Sequence, residues 1–298
     1  MKKITILLIL LIPAILFAQY NNFPIKEEYD TYSEKISNTT SNNVCTLPPL
    51  NDIDIISDMS KLLEGYIELY RTTKDKAYLY KFMKKALCIM ENRHDYAFAP
   101  IFPPRWTWSS PDPGGMYLEG NVLAALSHFV YLIRVENSNS LYYEQVYQFD
   151  ELKPSNYVSN TCGCNKFGIS FITFGQFANW LQDRVGETAY WYINNDYWSW
   201  LYGMKKLPND NLPADINMQQ GFARMFLFNG LSAGNNDFLG RAMLIAQKAK
   251  GNVVFSDDCN HINYNKPVFI NNPTTNAYYW YHRGGGLNLI IAFGMVVN

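Results

Sequence analysis

The stretch Thr73-Lys74-Asp75-Lys76-Ala77-Tyr78-Leu79 decides how this chain is read. Before it, Met59, Leu62, Leu63, Tyr66, Ile67 and Tyr70 recur at the i, i+3, i+4, i+7 spacing of one buried helix face. After it, Tyr78, Leu79, Phe82, Met83, Leu87 and Met90 follow the same spacing. A helix end, a polar turn, an acid placed to cap the next helix and an aromatic–apolar pair together specify a helical hairpin. The same order of residue kinds returns in Val185-Gly186-Glu187-Thr188-Ala189-Tyr190-Trp191 and in Ala233-Gly234-Asn235-Asn236-Asp237-Phe238-Leu239. Arg134 to Tyr142 is a poorer fourth version. Successive joints fall about 50 to 60 residues apart, which reads as a repeated hairpin joined by long return segments.

Outward from these joints, the pattern predicts further helices at about 119–135, 168–184, 188–205, 215–230, 236–250 and 286–297, with a short one near 141–149. Strand-like alternation is confined to small pieces such as Asn252 to Phe255. Hairpins that cannot bury their apolar faces alone stack on one another. The expected fold is therefore all-α: an incomplete (α/α) toroid or barrel of about four to five helical hairpins over residues 55–298. Its last helix, Gly286 to Asn298, opens a fifth hairpin without a second member. In an up-and-down order the return segments at about 93–118, 150–167, 206–214 and 251–285 emerge on one face, where binding and catalysis concentrate.

The beginning of the chain has a different character. Lys2 and Lys3 precede an apolar run from Ile4 to Phe17, and Ala14, Ala18 and Gln19 supply a small-residue cleavage site. That layout is a secretory signal peptide over residues 1–18, and about fourteen apolar residues are too few to span a bilayer. The protein is expected to be secreted or periplasmic, with no membrane span once the signal is removed. Residues 19–54, rich in Asn, Ser and Thr and closed by Pro48-Pro49, read as an extended or disordered polar leader.

Composition narrows the partners. Of 25 Lys+Arg and 26 Asp+Glu, cleavage removes Lys2 and Lys3, and the balance that remains is slightly acidic. No broad positive field attracts nucleic acid, so no nucleic-acid partner is expected. Five cysteines permit disulfides in an oxidising compartment but leave at least one thiol unpaired. Cys162-Gly163-Cys164 lacks the spacing of zinc knuckles or redox motifs, and no metal or cofactor is expected. P-loop, dinucleotide, His-Glu-x-x-His and Gly-x-Ser-x-Gly patterns are absent from the sequence. The chain carries 22 Tyr and 7 Trp, whose flat apolar faces and polar handles suit stacking against sugar rings.

Chemistry is expected on the return segments. The first holds His94, Arg105, Trp106, Trp108, Asp112, Tyr117 and Glu119 among stiffening prolines. Trp106 and Trp108, two apart in extended chain, project to one side as a stacking platform, unless the segment packs its own tryptophans inward. The last segment holds Tyr279, Tyr281, His282 and Arg283 before Gly284-Gly285-Gly286. There Arg283 is suited to hold a carboxylate, and His282 or Tyr281 to exchange a proton with carbon. Gln220 and Arg224 are four apart and share one face of a helix that opens after a return segment. Asn194-Asn195-Asp196-Tyr197-Trp198 is a weaker candidate, because Tyr and Trp inside a helix are usually core.

On the repeated joint, the Gln219-Gln220-Gly221 helix start and the run through Tyr281-His282, the chain resembles carbohydrate-active helical toroids. These are the polysaccharide lyases, related glycoside hydrolases and the helical domain of glucuronyl epimerases. The resemblance implies removal of the carbon-five proton of a uronic acid, with Tyr or His as base and acid and Arg, Asn or Gln on the carboxylate. Tyr281, His282 and Arg283 are then the implied catalytic residues. Gln220 is a further match to the family's carboxylate-binding residues, and the return segments themselves offer Trp106, Trp108, Arg105, Tyr117, Glu119 and Tyr279 as expected contacts to a polysaccharide or oligosaccharide. Two alternatives stand beside this lyase- or epimerase-like reading. One is a glycoside hydrolase whose carboxylate pair is drawn from Asp112, Glu119, Asp215 and Asp257. The other is a non-catalytic glycan-binding or interaction protein on the same scaffold.

Overall fold

In the computed structural model the chain separates into two units, residues 1–42 and 43–298. The structure describes Thr31 in the first, and in the second residues 53–91, Arg93, 113–146, 171–209, 213–214, 216–250, 254–255 and 262–263. Within the second unit the described chain is mostly helical. It comprises α1 (Ile53–Thr73), α2 (Ala77–Glu91), α3 (Pro113–Tyr131), α4 (Phe174–Asn194), α5 (Ile216–Ala233) and α6 (Asn236–Lys250). A π-helical segment, Leu132–Glu136, continues α3. Strands β1 (Trp198–Ser199) and β2 (Gly203–Met204) pair antiparallel, as do β3 (Val254–Phe255) and β4 (Ile262–Asn263).

Two of the expected joints are hairpin turns built alike. At the first, Lys74 takes a left-handed backbone (φ 59°) and its N–H donates to the Tyr70 carbonyl at 2.8 Å. Asp75 Oδ1 then accepts from the Ala77 N–H at 2.9 Å, capping α2. At the other, Gly234 (φ 66°) takes the left-handed position, and Asn235 Oδ1 accepts from the N–H groups of Asp237 and Phe238 at 3.1 and 3.2 Å. The aromatic that follows each cap, Tyr78 or Phe238, is buried against its hairpin partner.

The odd-numbered helices lie parallel. Glu64 of α1 meets His128 of α3, and two turns on Arg71 meets Glu136. Gly120 of α3 abuts Gly221 and Phe222 of α5, and further along His128 stacks on Phe228 with centroids 4.4 Å apart. The even-numbered helices return antiparallel on them: Tyr192 of α4 bonds Glu119, while Phe177 packs edge-on against Phe129. Helix α3 is the centre of this arrangement, and every residue from Val122 to Val130 is buried. Each large apolar side chain so covered contributes about 1.5–3 kcal/mol, which outweighs any local preference of the chain.

That packing corrects the third expected joint. Val185 to Trp191 is not a turn; α4 runs unbroken through Gly186. What holds it is Arg93, fully buried just beyond α2, which donates to the Arg184 carbonyl at 2.9 Å, to Thr188 Oγ1 at 3.2 Å and to Glu187 at 2.6 Å. The expected helices 168–184 and 188–205 are therefore one helix followed by the β1–β2 hairpin. The short helix near 141–149 is a turn leading to an antiparallel bridge between Gln145 and Thr173.

The location of the return segments changes accordingly. Residues 113–118, expected in the first return segment, begin α3 instead, and the C-terminal end of α4 lies beside the N-terminal ends of α3 and α5. The segment expected near 150–167 instead joins the far end of α3 to the start of α4, at the opposite end. The described helix ends that these segments join do not all lie at one end. Helix α1 also begins at Ile53, inside the span assigned to the leader. The expected signal peptide, the rest of the expected leader apart from Thr31, and the helix expected at 286–297 lie outside the described residues.

Arg93→Met should lower stability by about 2 kcal/mol in equilibrium urea unfolding, because it strips three acceptors of their donor in the interior. Glu187 keeps a second partner in Arg184 at 2.8 Å, which limits the loss. An unchanged midpoint would show that Arg93 is not what carries α4 across Gly186.

Candidate functional site

Where α1, α3 and α5 converge, each contributes one charged or titratable side chain. Glu64 is placed by α1, whose polar stripe of Lys61, Glu64, Glu68 and Arg71 lies opposite its core face. His128 sits in the mostly apolar second half of α3, and Arg224 follows Gln220 by one turn on α5. His128 Nδ1 is 2.7 Å from Glu64 Oε2, and Arg224 Nη2 donates to Glu64 Oε1. The side chains of His128, Arg224 and Glu64 are 3%, 12% and 22% exposed, so the triad is covered but not sealed.

Burial alone would push the Glu64 carboxyl upward. The Arg224 guanidinium and His128 beside it more than offset that and hold it at about 2, against an ordinary 4.5. Glu64 is thus a carboxylate at neutral pH and can only accept hydrogen bonds. The proton between it and His128 therefore belongs to Nδ1, which fixes the ring's orientation. His128 Nε2 is buried and has no hydrogen-bond partner among the described residues. The same holds for Arg224 Nε and for both amide atoms of Gln220, which is 3% exposed. Buried polar atoms left unmatched cost about 1–3 kcal/mol each, so a cluster of them marks a place where a polar ligand or water is accommodated.

Tyr131, one turn beyond His128, also meets the Phe228 ring, at 5.3 Å between centroids. Burial, with Glu136 adding and Arg71 opposing, raises its hydroxyl above the ordinary range, so it stays a proton donor at neutral pH. The arrangement offers an oriented imidazole with a second, buried ring nitrogen, a phenol as donor and a cation with a spare N–H.

Of the residues singled out in the sequence, Gln220 and Arg224 belong to this cluster. Gln219, their neighbour, is structural. Its amide accepts from the Met204 N–H at 2.9 Å and donates to the Met204 carbonyl at 2.8 Å, fastening the β1–β2 hairpin to α5. Glu119 is fully buried and accepts from the Tyr192 hydroxyl, so it sits in the α3–α4 seam rather than at an open surface. Asp196 pairs with Lys205 at 2.6 Å and Tyr197 is buried, both serving the turn after α4. Tyr117 falls within α3. Arg105, Trp106, Trp108, Asp112, Asp215, Asp257, Tyr279, Tyr281, His282 and Arg283 lie outside the described residues. Sequence reasoning passed over Glu64 and His128. The available signal was a lone histidine inside the apolar run Val122 to Ile133, and an acid in the stripe of a helix destined to pack on it.

No family model, curated protein or solved structure matches the chain. Among the described residues, no helix is long and apolar enough to cross a membrane, and no three His, Cys, Asp or Glu side chains gather as metal ligands.

Proposed function

We propose that this chain is an exported, carbohydrate-active protein whose stacked helix pairs form part of an incomplete (α/α) toroid. It acts on an acidic polysaccharide by lyase- or epimerase-like proton abstraction next to a uronate carboxylate. The observation that carries the reading is the unpartnered, buried Nε2 of a histidine whose Nδ1 is fixed by an ionised glutamate. Such an imidazole accepts a proton from carbon, and Glu64 stabilises the imidazolium that results. Arg224 and Gln220, one turn apart, have the donors to neutralise the substrate carboxylate, which is what makes the neighbouring carbon acidic enough. Tyr131 supplies the proton that the departing glycosidic oxygen takes up in elimination, or that returns to the opposite face of carbon five in epimerisation. Support for the toroid comes from three parallel inner helices backed by three that return.

The test is exchange of the carbon-five hydrogen for solvent deuterium, followed by NMR on a panel of uronic-acid polymers, with absorbance of a conjugated alkene recorded in parallel. Exchange without alkene reads as an epimerase, and with it as a lyase. His128→Gln should reduce exchange about a thousandfold in protein that remains folded at the assay temperature, a loss beyond what its lowered melting temperature accounts for. A His128→Gln protein as active as wild type, or a wild type inert on every polymer, would discard the mechanism and leave a glycan-binding protein as the better reading.

A further inference from the structure

We propose that Trp200, on the hairpin between α4 and α5, is the floor of a separate glycan subsite that stacks one pyranose ring of a bound chain. The choice of a glycan rests on the reading above; the platform itself rests on its own geometry. Trp200 sits at the β1–β2 turn and is 56% exposed, whereas Trp198 two residues earlier is buried. The Arg241 guanidinium of α6 lies 4.9 Å from the Trp200 ring centroid and 4.8 Å from that of Trp198. The two indoles meet edge to face at 5.6 Å and 87°. Asp237 grips Arg241 with both oxygens, at 2.9 and 3.1 Å, so the guanidinium is fixed. Gly240 completes the bed: even a Cβ there would reach to 3.5 Å from Trp200 Cη2, so the indole lies close on the backbone of α6.

An exposed indole is therefore immobilised before any ligand arrives, and a partner stacking on it loses little to side-chain ordering. One ring face rests against Arg241, and more than half of the residue remains exposed. At the rim stands the Asp237 carboxylate, 43% exposed. A flat apolar face beside a hydrogen-bonding carboxylate suits a sugar, whose axial C–H face stacks while its hydroxyls donate to the acid. A lipid surface is the poorer fit, because inserting Trp200 would drag the ionised Asp237 towards hydrocarbon. The hairpin also emerges at the end where α1, α3 and α5 begin, so a chain seated on Trp200 lies at the same end as the start of the helix bearing Gln220 and Arg224.

The experiment is calorimetric titration of the full chain with oligogalacturonate, oligoglucuronate and neutral gluco- and xylo-oligosaccharides. Trp200→Leu keeps an apolar side chain but removes the ring, and should weaken binding about tenfold, the size of one stacked ring. Trp200→Phe should retain most of the affinity, and Leu201→Ser, which alters the adjacent exposed residue, should retain all of it. Equal affinity for wild type and Trp200→Leu overturns the subsite, as does a wild type that binds no sugar in the panel. Loss of vesicle cosedimentation in Trp200→Leu with sugar affinity unchanged overturns it in favour of a membrane contact. Trp200-dependent binding with no deuterium exchange on any polymer sinks the catalytic reading alone. His128-dependent exchange that ignores Trp200 sinks the platform alone.

Discussion

Glu64→Gln should lower the unfolding free energy by about 3 kcal/mol, because it leaves Arg224 and His128 in the interior without the carboxylate that offsets their burial. Gln keeps the shape and one acceptor, so the loss reports charge rather than a cavity. The pH dependence separates this from generic damage. In the folded protein the Glu64 carboxyl titrates at about 2, below its ordinary 4.5. A lowered folded-state value means the stabilisation is fully present above the unfolded value and is lost as pH falls towards the folded one. The gap between the two corresponds to about 3 kcal/mol, matching the cost of the substitution. Urea unfolding of wild type and variant should therefore differ most at neutral pH and converge near pH 2. Curves separated by the same amount at both pH values would show that the ion cluster is not what Glu64 contributes.

The same cluster shows what the sequence reveals and what it withholds. Helix α6 spans the expected 236–250, and α1, α2 and α5 lie within a few residues of expectation, because their apolar spacing and their caps agree. Asp75 and Asn235 are legible as caps since a side chain two residues from its target needs no tertiary information. Gly186 fails for the opposite reason. Glycine after valine and before an acid is locally a helix end, yet Arg93, more than ninety residues earlier, binds the carbonyl and side chains on both sides of it. No local pattern contains that contact. Likewise, Gln220 and Arg224 are visible as an i, i+4 pair, but their partner Glu64 stands 160 residues before Arg224, and His128 is placed by the parallel packing of α3. A histidine in an apolar helix is usually read as core. Here it is core on three sides, and the fourth side holds the unpaired nitrogen.

Two glycines on this scaffold should respond to the same substitution with opposite signs. At Gly186, mid-helix in α4, an added Cβ meets no atom within 4 Å. Gly186→Ala should thus stabilise the protein by about 0.5–1 kcal/mol, the helix preference of alanine over glycine. Gly221 gains the same preference but loses more. Its Cβ would lie 2.5 Å from the Gly120 carbonyl carbon and 2.8 Å from the Asn121 nitrogen. Those are backbone atoms of α3, so no rotamer change relieves the clash and the two helices must separate. Gly221→Ala should cost about 2–3 kcal/mol net, as overpacking in a well-packed interior does. The separation propagates, because Phe228, two turns along α5, carries the His128 ring, and Arg224 between them carries Glu64. Activity in Gly221→Ala should accordingly fall more than stability requires, whereas Gly186→Ala leaves it unchanged. Thermal and urea unfolding of the two variants beside wild type decide the point: if both midpoints rise, α3 and α5 do not cross on Gly120 and Gly221. The convergence that brings Glu64, His128 and Arg224 together would then have to be abandoned with it.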